Sequence, residues 1–133
     1  MGYFEEFTLK TDTQGVYNIT KEITGAVKRS SVSEGIALIF CPHTTAGITM
    51  NENTDPNVGR DLLFGMARAF PNHAQFTHTE GNSYAHLRSS MAGCEVILII
   101  EDNWPKLGIC QNVYLLEFDG PRTRSFYVKI MEG

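Results

Sequence analysis

Three of the four histidines lie in polar segments that are poor material for a protein core. His43 lies in residues 41–47, which contain two threonines and end in glycine, and His78 and His86 flank the polar run 80–83. Hydroxyl, amide and carboxylate groups need hydrogen-bond partners when they are buried, so such segments seldom fill a core. Imidazoles beside these groups are typical of catalytic and metal-binding sites. The pattern therefore predicts a small enzyme or a ligand-binding protein.

His43, His78 and His86 are candidate catalytic residues and candidate ligands of a divalent metal such as zinc or magnesium. Neutral imidazole is a common nitrogen ligand, and three imidazoles suit a catalytic zinc with an open position. Their spacing matches no local metal motif, so only the fold can bring them together. The alternative is that each imidazole hydrogen-bonds to backbone or ends a turn. His73, beside Pro71, is predicted to be an exposed loop residue.

Two carboxylates follow the first of these segments and have different predicted roles. Asp55 precedes Pro56 and an amphipathic run, so it is predicted to be a helix N-cap. Glu52 has no such structural role in the sequence and is the candidate catalytic carboxylate, as a general acid and base or as a metal ligand. Glu80, two residues after His78, has the same chemistry, with an exposed loop carboxylate as its alternative.

Phosphate-binding groups are predicted at two places in the sequence. Asn82 and Ser83 precede a predicted helix, and free N–H groups at a helix start bind phosphate, although these residues are also common in turns. Arg122 lies beside a predicted turn, and its planar guanidinium can bind phosphate through two hydrogen bonds. Arg124 would point to the same face by the alternation of a strand. The alternative for both arginines is an ion pair at the surface or between subunits, for example with Asp119.

Composition and charge exclude several classes of protein. The chain has 133 residues, 42% of them hydrophobic, which is enough for one domain with a buried core. Its net charge of -4 argues against a non-specific nucleic-acid binder. The longest apolar run, residues 96–100, is too short to cross a bilayer and predicts a buried strand, and the first residues lack the features of a secretory signal. Three cysteines without paired spacing, Cys41, Cys94 and Cys110, favour reduced thiols in the cytoplasm.

Hydrophobic spacing predicts a mixture of helices and strands. Helices are predicted over residues 19–30, 56–70 and 83–91. Strands are predicted over residues 3–11, 16–18, 36–40, 95–101, 112–118 and 125–131. The two kinds of element do not alternate regularly, and the chain ends in strands. We therefore expect an α+β fold, a single compact domain over residues 1–133 with a largely antiparallel sheet and two to three helices.

Apolar side chains occur on both faces of the strand predicted near residue 115. A single small domain seldom covers both faces of its sheet, so part of this strand is predicted to form a subunit interface in a stable homo-oligomer. The apolar residues are Val113, Tyr114, Leu115, Leu116 and Phe118.

Three motifs, residues 41–52, 80–87 and 117–124, occur in the order and spacing of a known family. Through them the chain resembles the YjbQ family, often called secondary thiamine-phosphate synthase enzymes, over almost its whole length. The resemblance implies a compact α+β domain of cytoplasmic type, commonly a homotrimer. It also implies a weak thiamine-phosphate synthase activity, which joins a pyrimidine pyrophosphate to a thiazole phosphate and releases pyrophosphate. The partner would then be a small phosphorylated molecule, not nucleic acid or a membrane.

Two other functions remain open, namely metal-assisted hydrolysis at the same histidines and a non-catalytic, trimeric module that binds a metal or another ligand. One departure from the family pattern bears on the substrate. The family usually has Leu-Gly-x-Trp-Gln in this late segment, whereas this chain has Cys110 at the tryptophan position and Trp104 six residues earlier. If the tryptophan of the family lines the pocket, the substrate preference of this chain differs.

Overall fold

Two antiparallel β-sheets form the frame of the molecule, of which the computed structural model describes residues 2–133. The first sheet has five strands, in the spatial order β1 (Gly2–Lys10), β8 (Thr123–Glu132), β3 (Gly35–Phe40), β5 (Glu95–Glu101) and β6 (Trp104–Pro105). The second sheet has three strands, in the order β2 (Gly15–Asn18), β7 (Gln111–Glu117) and β4 (Ala46–Glu52). Neighbouring strands run antiparallel in both sheets.

Three helices complete the fold: α1 (Thr20–Ser30), α2 (Pro56–Ala69) and α3 (Ser83–Ala92). The apolar residues of α1 recur at helical spacing, and Ile23 and Val27 are fully buried on its inner face. None of the helices in residues 2–133 is long and apolar enough to cross a membrane. The antiparallel sheets and three helices confirm the predicted α+β fold.

The main core lies between the two sheets and α1. Ala37 of β3 and Val113 and Leu115 of β7 are fully buried there. The other face of β7 is also covered, because Leu116 packs in a second cluster with Ala85 of α3. Of the five residues predicted to contribute to a subunit interface, Val113, Leu115, Leu116 and Phe118 are thus buried by elements of the same chain and cannot do so, and Tyr114 is half-buried.

The outer face of the five-stranded sheet is apolar and exposed. Residues of β5 alternate in burial, and the side chains of Ile97 and Ile99 are 59% and 61% exposed. The prediction of a buried strand over residues 96–100 thus holds for one face only, because nothing in residues 2–133 packs on the other. We call this surface the apolar sheet face; its large exposed members are Phe4, Ile36, Phe40, Ile97, Ile99 and Met131.

Candidate functional site

His78 and His86 meet at the beginning of α3. Their ring centroids are 5.3 Å apart, and the ring planes are nearly perpendicular, at 81°. His86 lies in the first turn of α3 and is half-buried, whereas His78 lies in the preceding loop with 40% of its side chain exposed. Oε1 of Glu80 lies 3.8 Å from Nε2 of His78. The structure thus brings two of the three predicted histidines together beside a carboxylate.

Asn82, which precedes α3, is tied to the turn between β7 and β8. Its Nδ2 donates to Oδ2 of Asp119 over 2.7 Å, and Asn82 is the N-cap residue of α3. Burial raises the pKa of Asp119, but hydrogen bonds from Asn82 and Arg122 outweigh burial and hold that pKa below its ordinary value. Asp119 is therefore ionised at neutral pH and orients the amide group of Asn82 toward itself. Because this donor is used inside the protein, a phosphate here would bind to backbone N–H groups instead.

Arg122 extends this hydrogen-bonded chain and leaves positive charge at the surface. Its Nε donates to the backbone oxygen of Asp119 over 2.7 Å, and its Nη2 donates to Oδ2 over 3.0 Å. The hydrogen bond to Asp119 raises the pKa of Arg122, and the charges of Glu117 and Glu80 raise it further. The alternative considered for Arg122, an ion pair with Asp119, is thus present. Since two of five guanidinium N–H groups are used and 47% of the side chain is exposed, Arg122 can still bind an anion.

Arg124 is buried and pairs with Glu117, a residue that sequence reasoning missed. Its Nε donates to Oε1 of Glu117 over 2.7 Å, and the two side chains are 4% and 0% exposed. The hydroxyl of Thr11 donates to the same carboxylate over 2.6 Å, and the hydroxyl of Thr45 accepts from the guanidinium over 2.8 Å. The prediction that Arg124 shares a binding face with Arg122 is wrong, because the second residue of β8 points into the protein.

His43 is held by β8 and makes no ring contact with the other histidines of residues 2–133. Its Nε2 accepts a hydrogen bond from the backbone N–H of Ser125 over 2.8 Å. Burial lowers the pKa of His43, and the positive charge of Arg124 lowers it further. The ring is therefore neutral at neutral pH and carries its proton on Nδ1. With Nε2 occupied, His43 can donate a hydrogen bond but offers no free lone pair to a metal, so this geometry does not support the predicted ligand role.

The described part of one chain does not assemble a three-ligand metal site. Within residues 2–133, no three His, Cys, Asp or Glu side chains are placed to hold a metal ion. His78 and His86 provide two imidazoles, whereas a catalytic zinc usually has three protein ligands. The donor set of a single chain therefore does not complete a three-ligand zinc site, and a further ligand would have to come from outside residues 2–133.

Glu52 lies in a groove between α2 and the three-stranded sheet. We call it the α2 groove; its volume is about 400 Å³, and it is lined by Val16, Tyr114 and residues between 51 and 63. Oε2 of Glu52 accepts hydrogen bonds from the backbone N–H and the hydroxyl of Thr54, so the carboxylate has a local structural role that the sequence did not reveal. The hydroxyl of Tyr114 donates to the backbone oxygen of Glu52 over 2.7 Å. His86 borders a separate, shallow depression on α3.

Replacing Asp55 by alanine should destabilise the fold more than replacing Glu52 by glutamine. Asp55 is the predicted N-cap of α2, and its Oδ1 accepts from the backbone N–H of Asn57 over 2.9 Å. Loss of such a cap lowers the free energy of unfolding by about 0.5–2 kcal/mol. Glutamine keeps an acceptor for Thr54, so we expect Glu52→Gln to change that free energy by less than about 0.5 kcal/mol. Urea denaturation measures both values, and a larger loss for Glu52→Gln would reverse these roles.

Comparison with known proteins identifies the family of the chain. Residues 5–133 match the family model described as UPF0047 protein YjbQ-like. The chain belongs to the YjbQ-like UPF0047 family. A UPF0047 protein of Methanocaldococcus jannaschii is 47% identical over 127 residues, which cover 95% of this chain and 92% of that protein. The UPF0047 protein YugU of Bacillus subtilis is 43% identical over 122 residues, which cover 91% and 92% of the two chains.

Solved structures of YjbQ-like proteins have the fold described above. An uncharacterized YjbQ/UPF0047 protein from Clostridium acetobutylicum superposes with a TM-score of 0.93 at 48% identity, covering 96% of this chain and 99% of that one. A YbjQ-like protein of unknown function from Sulfolobus solfataricus P2 superposes with a TM-score of 0.95 at 28% identity, covering 100% and 99%. The resemblance seen in three motifs is thus confirmed as family membership.

The departure of this YjbQ-like protein from the family pattern lies at the surface. Cys110 is exposed in the loop before β7, and its backbone oxygen accepts from the N–H of Asn53 over 2.9 Å. Trp104 is 52% exposed and packs against Lys28 of α1, whose Nζ lies 5.0 Å from the ring centroid. Trp104 also lines a pocket together with Ile109 and Gln111, the two neighbours of Cys110 in the sequence.

Proposed function

We propose that this protein is an enzyme that binds a small phosphorylated compound between the start of α3 and the turn that joins β7 to β8. The observation that carries the proposal is the hydrogen-bonded chain Asn82–Asp119–Arg122, which is joined through the start of α3 to the pair of imidazoles. A fixed guanidinium, a helix start and two imidazoles are thereby held close together. We call this cluster the polar site; its members are His78, Asn82, His86, Asp119 and Arg122.

Two kinds of donor support phosphate binding at the polar site. Asp119 holds the guanidinium of Arg122 in one orientation, which leaves further N–H groups for a ligand. The first backbone N–H groups of a helix have no partners within the helix and favour anions. Because α3 begins at Ser83, this residue keeps its proposed phosphate-binding role through its backbone. Charge-assisted hydrogen bonds from both sides would hold the phosphate in place.

The two histidines supply imidazoles, which are common general acids and bases in enzymes. The activity that family resemblance suggests, as a weak one, is thiamine-phosphate synthesis, in which a pyrimidine pyrophosphate is joined to a thiazole phosphate. Negative charge develops on the departing pyrophosphate, and Arg122 together with the N–H groups of α3 would stabilise it electrostatically. A protonated His78 or His86 would donate a proton to an oxygen of the leaving group.

We also propose that the protein acts as a homo-oligomer in the cytoplasm. Ile36 on the apolar sheet face lies opposite both Ile99 and Met131, so three exposed apolar side chains are neighbours, and contiguous apolar patches mark interaction sites. A second copy of the same chain is a partner with matching chemistry, and the family resemblance favours a trimer. The free thiols of Cys41, Cys94 and Cys110 suit a reducing compartment.

Pyrophosphate binding tests the polar site directly. Arg122→Met removes the guanidinium, so we expect the affinity for pyrophosphate in calorimetry to fall about tenfold or more, because a hydrogen bond to a charged group contributes about 1.5–3 kcal/mol. Arg29→Met is the matched control, since it removes a similarly exposed guanidinium that pairs with Glu5 at the surface. Equal affinities for both variants and the wild type would contradict phosphate binding at the polar site.

A second variant separates catalysis from binding. His86→Asn should bind pyrophosphate as the wild type does and form thiamine phosphate about a hundredfold more slowly, because loss of a general acid typically costs at least this factor. If the wild-type protein binds pyrophosphate but makes no thiamine phosphate, the proposed reaction is wrong, whereas the proposed phosphate-binding site still holds.

A further inference from the structure

The α2 groove is a cavity that the proposed function leaves unused. Its volume of about 400 Å³ is within the range of small-molecule sites. One wall is α2, and the facing wall includes Val16 of β2 and Tyr114 of β7. Neither His86 nor Arg122 lines it. The groove is therefore a separate place at which a ligand can bind.

The groove is open because α2 covers the sheet only in part, with Leu63 and Met66 packed against the second core cluster. Val58, Leu62 and Leu63 line it and are only half-buried, and no residue of α2 is fully buried. Gly59 contributes to the gap, since a Cβ atom there would meet the side chain of Val16 at 3.6 Å, an ordinary contact distance. An apolar helix face that is half-covered gains stability when a ligand removes the rest from water.

The charged lining of the groove consists of two carboxylates and one guanidinium. Glu52 and Asp55 both line it, and neither forms an ion pair with any side chain of residues 2–133. Arg60 is the cationic residue of the lining, and its Nη1 donates a hydrogen bond to Oδ1 of Asn57 on the same helix over 3.0 Å. Asp55 accepts the N-cap bond through Oδ1, and Oε2 of Glu52 is bound to Thr54. Oε1 of Glu52 is thus an anionic acceptor without a partner in the described chain.

We propose that the α2 groove binds a flat ring compound that carries a cationic N–H donor, such as an amidinium or a protonated amine on an aromatic ring. The ring would lie against Val16 and Leu63, where burial of apolar area is favourable. The cationic group would donate to Glu52 in a charge-assisted hydrogen bond. This ligand is cationic, unlike the phosphate proposed for the polar site, and it contacts none of the residues of that site.

Three probes of nearly the same shape separate the effect of charge from that of shape. They are benzamidine, which is cationic, benzamide, which is neutral, and benzoate, which is anionic. We expect benzamidine to shift the backbone amide NMR signals of residues 51–63 with a dissociation constant on the order of 1 mM, as for a ligand of this size. Benzamide should bind about tenfold more weakly, and benzoate most weakly. Equal binding of the three, or no binding of benzamidine, would overturn the proposal.

Variants locate the probe within the groove. Glu52→Gln keeps the size of the side chain and removes its charge, so the affinity for benzamidine should fall to that for benzamide. Gly59→Leu should abolish binding of every probe, because the added side chain fills the groove. Gly65→Leu is the matched control: it adds the same side chain to α2 at a position where a Cβ meets nothing within 4 Å, so it should bind the probes as the wild type does.

The variants also keep this inference separate from the polar site. If Gly59→Leu does not fold, the benzamidine affinity of Glu52→Gln alone tests the proposal. Unchanged benzamidine affinity in Glu52→Gln, or in a folded Gly59→Leu, would overturn the proposal. Pyrophosphate affinity should be the same in all these variants, so failure at one site is distinguishable from failure at the other.

Discussion

Replacing Arg124 by methionine is expected to lower the free energy of unfolding by about 3–5 kcal/mol. Arg124 and Glu117 are almost completely buried, and the carboxylate also accepts hydrogen bonds from Thr11 and from the backbone N–H of Asp119. Methionine fills part of the same space without a charge, so Glu117 stays buried without its cation. A buried charge without a partner is strongly unfavourable. Removal of Arg124 alone therefore costs more free energy of unfolding than the intact ion pair contributes on balance.

A surface pair of similar geometry provides the control for this prediction. Nε and Nη2 of Arg29 donate to the two carboxylate oxygens of Glu5 over 2.7 Å and 2.9 Å. The two side chains are 53% and 22% exposed, and pairs of this kind contribute about 0–1 kcal/mol. Urea denaturation followed by circular dichroism compares Arg124→Met with Arg29→Met. Equal losses would mean that burial does not determine the size of the effect.

The effect of Arg124→Met should also depend on pH. Burial raises the pKa of Glu117, but hydrogen bonds from Arg124, Thr11 and Asp119 outweigh it and hold that pKa below its ordinary value. In the wild type this contribution to stability is present above the unfolded pKa of about 4.3 and is lost as the pH falls through the folded pKa. Without Arg124, burial raises the pKa of Glu117, so the variant loses stability as the pH rises. The difference in unfolding free energy should therefore shrink toward acidic pH, and a constant difference would contradict this account.

Local spacing predicts the elements of this fold better than it predicts what covers them. The helical recurrence of apolar residues identifies the buried face of α1, including Ile23 and Val27. Residues 96–100 are apolar throughout, which suggests burial on both faces, yet residues 2–133 cover only one of them. What packs on a sheet is set by distant elements or by other subunits, so the strand itself cannot reveal it. The two-residue strand β6 is missed because it is too short to show periodicity.

Site residues were predicted correctly where their role depends on neighbouring residues, and they were missed where it depends on contacts between distant parts of the chain. Asp55 is identified correctly because a helix cap depends only on the next few residues. The partner of His43 is Ser125, 82 residues away, and such a contact follows from the packing of β8 beside the 41–45 segment. Glu117 and Arg124 leave a weak signal, two opposite charges within apolar strands, and their pairing follows from the fold.

Ile99→Glu is expected to convert the proposed homo-oligomer into monomers. Ile99 is 61% exposed on the apolar sheet face, opposite Ile36, which in turn lies opposite Met131. If a second copy covers this face, the variant loses about 1.5–3 kcal/mol of isoleucine burial and places a carboxylate in an apolar interface, at a cost of several kcal/mol more. Together these two costs raise the dissociation constant of the homo-oligomer by more than about a thousandfold.

Phe64→Glu is the matched control for this prediction. Phe64 is 62% exposed and lies on α2, outside the apolar sheet face, so this variant should stay oligomeric. Analytical ultracentrifugation over a range of concentrations measures the mass of each protein, and circular dichroism verifies that both variants are folded. A monomeric wild type would contradict the proposed assembly, and dissociation of both variants would contradict its location. Because the two side chains are equally exposed and receive the same charge, a difference between the variants must come from the face that each one occupies.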